Sequence, residues 1–154
     1  MSNLINYEFY KKFHNYLPIV CVDIVLKTAH REFLMLKRKE HPAKNKWWFV
    51  GGRVFKNESL EQAIRRKVKE EIGLTIGNVE KIIRGYEIMF KEDPFNHGNG
   101  THNNVTCFLS EIENIDNIKL DNLHYDYKLF TYYSIDWHHY LKECLGSAGF
   151  SANN

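Results

Sequence analysis

The residues best able to do chemistry are concentrated between Gly51 and Leu74, in a run that opens Gly51-Gly-Arg-Val54 and closes Lys69-Glu-Glu-Ile-Gly-Leu74. A Gly-Gly turn lets backbone carbonyls and amides approach an ion or a phosphate closely. On a wheel of about 100° per residue, Leu60, Ala63, Ile64, Val68 and Ile72 share one face that must pack on a sheet. Glu71 projects into the same sector, with Glu70 and Arg66 on its edge. A carboxylate aimed at a core is costly unless a cation or hydrogen-bond donors meet it. Two partners suit Glu71. One is Lys67, at the i,i+4 spacing of an ion pair worth only about a few tenths of a kcal/mol. The other is a hard divalent cation, Mg²⁺ or Mn²⁺, bridging these carboxylates and the bare glycine backbone to substrate phosphates.

Other residues read less sharply. Arg38, in Lys37-Arg-Lys39, sits at a strand end facing the expected place of the glycine turn, where a guanidinium can pair with phosphate oxygens. The bland alternative is a solvated edge charge. Arg53 follows the glycines directly and has the stronger claim. Asp23 interrupts a β-branched run, and strand alternation assigns it to a wet face. His97 and His102 flank Gly98-Asn-Gly100, a loop able to contact a ligand, while Met89, Phe90 and Phe95 read as packing.

These side chains need a scaffold. A helix is expected over residues 5–15, where Tyr7, Tyr10, Phe13 and His14 recur at helical spacing, and Pro18 then opens an extended run to Leu26. Phe33–Lys37, Trp47–Val50, Ile82–Phe90, Asn104–Leu109 and Lys128–Tyr133 are further strand candidates. A helix from Ser59 to Ile72 has Ser59 and Gln62 as a capping box and Gly73 as its stop. Another is expected from Ser134 to about Leu145, stopped by Gly146. Strands before, between and after two helices imply an α+β class with helices packed on a mixed sheet.

The 154 residues leave room for one domain, with residues 1–16 as an N-terminal helical segment. Hydrophobic residues at 44% and charged residues at 26% describe a globular chain and exclude general disorder. The apolar run from Leu17 to Leu26 is broken by Asp23 and is about half of what a membrane span needs, so no membrane partner is expected. MSNLINYEFYKK lacks the pattern of a secretory signal, and a cytoplasmic protein is expected. Cys21, Cys107 and Cys144 match neither a disulfide framework nor a zinc site and read as packing thiols. A net charge of +2 is too weak for a nucleic-acid footprint.

The glycine-to-carboxylate spacing resembles the Nudix box, G-x5-E-x7-R-E-U-x-E-E-x-G-U with U aliphatic. Gly52, Glu58, Arg66, Val68, Glu70, Glu71, Gly73 and Leu74 fall in their places, and Lys67 stands where a glutamate is usual. The resemblance implies an α/β/α sandwich, a box helix that holds divalent metal, and hydrolysis of nucleoside diphosphates linked to another moiety. Gly51-Gly-Arg-Val54, Trp47, Leu36-Lys-Arg38, the Asp23 strand and His124-Tyr-Asp-Tyr127 further resemble the GDP-mannose mannosyl hydrolase branch, over roughly residues 17–131. In that branch attack falls on the sugar carbon and releases GDP and a hexose.

Carried over by position, the Gly51 carbonyl and Glu71 would hold one Mg²⁺ or Mn²⁺, with Glu70 able to replace a lost ligand. Arg38 and Arg53 would contact the diphosphate, Asp23, His102 and Asn103 the substrate, and His124, with Asp126 nearby, would be the general base; the box residue Arg66 would join Arg38, Arg53 and His124 as a catalytic residue. Leu123 stands where the branch has a glutamine ligand, Asn103 where it has a tyrosine, and Met89 where it has a sugar-contacting histidine. Lys67 removes one metal ligand and disfavours a second cation. The alternatives are an ordinary Nudix pyrophosphohydrolase attacking phosphorus and a weakened nucleotide-sugar-binding protein. Tyr7, Phe9 and Tyr10 suggest a homodimer built partly from the N-terminal segment, a habit of the family.

Overall fold

The computed structural model describes residues 5–154; the first residues of the expected N-terminal segment lie outside them. The elements run α1 (Tyr7–Tyr16), β1 (Ile19–Lys27), β2 (Phe33–Arg38), β3 (Trp47–Trp48), β4 (Val50–Arg53), α2 (Leu60–Ile72), β5 (Glu80–Phe90), β6 (Thr101–Glu111), β7 (His124–Phe130) and α3 (His139–Ser147). The strands form a mixed sheet in the order β3-β2-β1-β6-β5, with β4 paired to β1 and β7 to β2. Among the described strands only β1 and β6 run parallel; the other pairs are antiparallel. The expected sandwich is thus present.

Strand alternation divides β1 between two cores. Val22, Ile24 and Leu26 face α2 and pack with Ala63, Ile64, Val68 and Ile72. Val25 faces α3 with Phe33, Met35, Tyr140, Leu141 and Cys144. Asp23 shares the Val25 side and is buried, correcting the wet-face reading, because α3 covers that side of the sheet. No helix is long and apolar enough to cross a membrane among the described residues.

The box helix α2 starts and stops where expected. Ser59 Oγ accepts from Gln62 N, Gln62 Oε1 accepts from Ser59 N, and Gly73 closes the helix at φ 74°, a left-handed conformation that favours glycine. Reciprocal capping and this stop fix the phase of α2, and with it the side on which Lys67 and Glu71 emerge. The last helix differs from expectation. Ser134 is not its cap; its Oγ accepts from Asp136 N in a local turn, and α3 begins after His138, whose Nδ1 accepts from Tyr140 N. Gly146 lies inside α3 and does not end it.

Candidate active site

The Gly51-Gly52 turn in β4 lies against β1 in register, Gly51 beside Asp23 and Gly52 beside Val22. A Cβ at Gly51 would collide with Asp23 Oδ1 and the Val22 carbonyl, so this strand pair closes only on a bare backbone. From α2, Glu71 reaches the same turn and its Oε2 accepts from Gly51 N at 3.2 Å. The result is a cleft of about 270 Å³ whose walls include Asp23, Arg38, Arg53, Lys67, Glu71 and Asn103. A larger hollow of about 710 Å³, lined by Lys27, Glu80, Glu111 and Glu113, contains neither the box carboxylates nor the arginines. The smaller cleft is where the chemistry gathers.

Each wall residue has a distinct environment. Asp23 Oδ2 accepts from Tyr140 Oη at 3.0 Å and Trp48 Nε1 at 3.3 Å. Burial pushes its carboxyl up to about 7, with the two hydrogen bonds opposing the shift and nearby Glu71 adding to it. Arg38 donates Nε to the Pro42 carbonyl at 2.7 Å, and burial pulls its guanidinium down from the usual range. Arg53 lies over the Tyr10 ring at 3.8 Å and beside Phe55 at 5.4 Å. Its Nη1 is buried and has no hydrogen-bond partner among the described residues.

The box carboxylates are already engaged. Glu58 takes Arg66 Nε at 2.6 Å and Nη2 at 2.9 Å, and these bonds hold its carboxyl below the usual range. Arg66 also reaches Glu70 at 3.1 Å and donates to the Arg53 carbonyl at 3.0 Å, so this expected catalytic residue braces the turn and does not line the cleft. Lys67 Nζ sits 3.1 Å from Glu71 Oε1 and 3.4 Å from Glu70 Oε2. Glu71 is buried; that burial raises its carboxyl and Lys67 opposes the rise. The i,i+4 pair open to Glu71 on helix geometry is therefore formed.

His124 is buried and donates Nδ1–H to Asp121 Oδ1 at 2.7 Å, a partner that sequence reading missed. Asp126 is exposed. A bulge explains why: Lys37 pairs with Asp126 but Arg38 with His124, and the extra residue reverses the side-chain alternation of β7. His124 does not line the cleft, though Leu123 before it does.

His102 and Asn103 separate because β6 alternates. Asn103 lines the cleft, whereas His102 turns to the other face and meets Glu87 at 2.7 Å, which corrects its expected substrate contact. Met89 is exposed rather than packed. His97, whose side chain is covered, joins His14 at 2.8 Å, and Asp93 accepts from the amides of Phe95, His97 and Gly98, so this loop anchors α1.

A mixed sheet between helices, with a glycine turn facing the end of α2, is a Nudix arrangement. The NUDIX domain profile matches residues 17–145, and the chain belongs to the Nudix hydrolase family. It is 30% identical over 115 residues to the low-salt glycan biosynthesis protein Agl8 of Haloferax volcanii, covering 74% of this chain and 71% of that one. It is 38% identical over 77 residues to an ADP-ribose pyrophosphatase of Methanocaldococcus jannaschii, covering 49% of this chain and 44% of that one. The MutT NUDIX hydrolase from Burkholderia pseudomallei has a TM-score of 0.69 at 19% identity, covering 84% of this chain and 97% of that one, a likeness of fold alone. The MutT/nudix family protein from Enterococcus faecalis has a TM-score of 0.59 at 25% identity, covering 84% of this chain and 52% of that one. This chain therefore spans about half of the Enterococcus protein and less than half of the Methanocaldococcus one.

Nudix enzymes act with divalent metals, and Glu71, Asp121 and His124 each bring a ligand atom within 4.8 Å of the others. Asp121 and His124 are bonded to each other, and both Glu71 oxygens hold donors, Lys67 Nζ and Gly51 N. Glu70, expected as a substitute ligand, is half exposed and shared between Arg66 and Lys67. A divalent ion at this carboxylate would have to share its oxygens with the Lys67 ammonium, 3.1 Å from Oε1, and the two like charges repel at that distance. The expected set of Gly51, Glu70 and Glu71 does not fit the ion as these contacts stand.

Proposed function

We propose that the chain, acting as one domain over residues 1–154, is a nucleotide-sugar hydrolase of the GDP-mannose mannosyl hydrolase kind, releasing GDP and a hexose. The observation that carries this reading is the buried, unpartnered Arg53 Nη1 in a cleft shared with Asp23. An unpaired guanidinium donor suits a phosphate oxygen, and a buried carboxylate suits sugar hydroxyls. The likeness to a protein named for glycan biosynthesis supports the sugar half.

In this reading Arg38 and Arg53 grip the diphosphate and meet the charge that develops as the bond between the anomeric carbon and oxygen breaks. Asp23, with Oδ2 fixed by Tyr140 and Trp48, offers Oδ1 to a hydroxyl beside Gly51. With Nδ1–H on Asp121, His124 has its lone pair on Nε2; that nitrogen takes a proton from the water that attacks carbon. His124 is buried, so the turn at Leu123 must shift to admit the water. Arg66 acts through Glu58 and the Arg53 carbonyl as a positioning residue. The chain works as a homodimer, for which exposed Phe9, Tyr16 and Leu17 are the support.

Hydrolysis of GDP-mannose in ¹⁸O-labelled water tests the reading. Label in the hexose upholds it; label in the nucleotide phosphate favours attack at phosphorus. The likeness to a protein named ADP-ribose pyrophosphatase favours that second reading.

A further inference from the structure

We propose that Lys67 is the resident cation of this cleft and does at Glu71 what a divalent ion does in an acidic Nudix box. The inference concerns the box helix and stands on its contacts; only its catalytic arm rests on the reading above.

Lys67 is held rather than loosely paired. Its side chain is 15% exposed and its stem runs across Gly52, where an added Cβ would lie 2.7 Å from Cε. Gly52 thus makes room for the lysine as well as for substrate. The ammonium sits between two carboxylates, Glu71 at 3.1 Å and Glu70 at 3.4 Å, and donates to Glu70. Lys67 also lines the cleft, and an ammonium with three N–H groups has donors to offer an anion there. A leaving diphosphate oxygen is the group of matching chemistry there, flanked by Arg38 and Arg53.

Charge points the same way. A glutamate at position 67 would add a third carboxylate to Glu70 and Glu71 and require a multivalent cation to keep the cluster bound to an anionic substrate. Lysine in that place neutralises buried Glu71 internally, leaving Arg38 and Arg53 to match a diphosphate diester. An arriving divalent ion must either displace the ammonium or sit close to it, and both weaken its binding.

The test combines a metal titration with a chelation assay. Free Mn²⁺ is counted by electron paramagnetic resonance during titration into wild-type protein, Lys67→Met and Lys67→Glu, each alone and with GDP. The expected result is that both variants bind Mn²⁺ at least about tenfold more tightly than wild type, the change of charge beside Glu71 being the cause. Wild-type affinity equal to that of both variants overturns the proposal. Keeping the neutral Lys67→Met variant guards against misfolding of Lys67→Glu. In the second arm, wild type treated with a chelator keeps its turnover of GDP-mannose, while chelated Lys67→Met loses about 10²-fold and regains it with Mn²⁺. Turnover by wild type that vanishes on chelation and returns with Mn²⁺ also overturns the proposal. No turnover of GDP-mannose by any form counts against the substrate reading, and the titration then decides Lys67 by itself.

Discussion

Tyr140 and Asp23 stand 117 residues apart in the chain and meet at 3.0 Å, the hydroxyl on α3 donating to the carboxylate of the central strand. The bond favours the ionised carboxylate against a burial that disfavours it. Tyr140→Phe should therefore move the Asp23 carboxyl above its present value of about 7. If ionised Asp23 accepts the sugar hydroxyl, the acid limb of the pH profile of turnover shifts to higher pH, and an unmoved limb would separate Asp23 from catalysis.

The same carboxyl makes stability depend on pH. Its folded-state value of about 7 lies above the ordinary 3.8, so the native state holds the proton more tightly than the unfolded chain. Its contribution is complete below about pH 4 and is lost as pH rises toward 7. Asp23→Asn removes this term. Urea unfolding at pH 4.5 and 7.5 should show wild type losing ground to the variant at the higher pH by something on the order of a few kcal/mol.

Arg53→Ala removes a buried donor that lacks a partner among the described residues. Stability should change little, since the relief of that donor offsets the lost stacking on Tyr10. Affinity for GDP, measured by calorimetry, should fall about tenfold to a hundredfold. Unchanged GDP affinity would take Arg53 out of the diphosphate site.

His124→Gln should lower turnover by about 10²- to 10⁴-fold with GDP binding nearly intact, as expected when a general base is lost. Asp121→Asn should lower it too, because an amide no longer holds the same ring tautomer. If Asp126→Asn does more harm than Asp121→Asn, the assignment of partner is wrong.

Light scattering should return the mass of a dimer. Paired lysine substitutions at Phe9 and Tyr16, both exposed on α1, should return the monomer.

How much of this was legible in the sequence follows from the range of the interactions. Helix α2 was readable because Ser59, Gln62 and Gly73 cap and stop it through contacts within one turn. The start of α3 was not, because its cap is a histidine and the serine upstream serves a turn instead. Strand alternation would have separated His102 from Asn103, yet positional likeness assigned them one role. Asp126 was turned away from His124 by a bulge that periodicity does not announce, whereas the place of Asp121 three residues before His124 was a usable signal. Glu71 was rightly aimed inward, and Lys67 meets it at the spacing expected for the simpler of its two partners.

The contact of Asp23 with Gly51 constrains how such a chain can change over generations. The carboxylate fills the volume that any side chain at position 51 would need, so a single mutation there is rejected whatever residue it introduces. Loss of Asp23 to a smaller residue removes its carboxylate from the way, but the Val22 carbonyl and the Cα of residue 23 still obstruct. Inheritance at these two positions is therefore ordered. A lineage that abandons the carboxylate can do so in one step, and one that abandons the glycine must first reshape the strand beneath it.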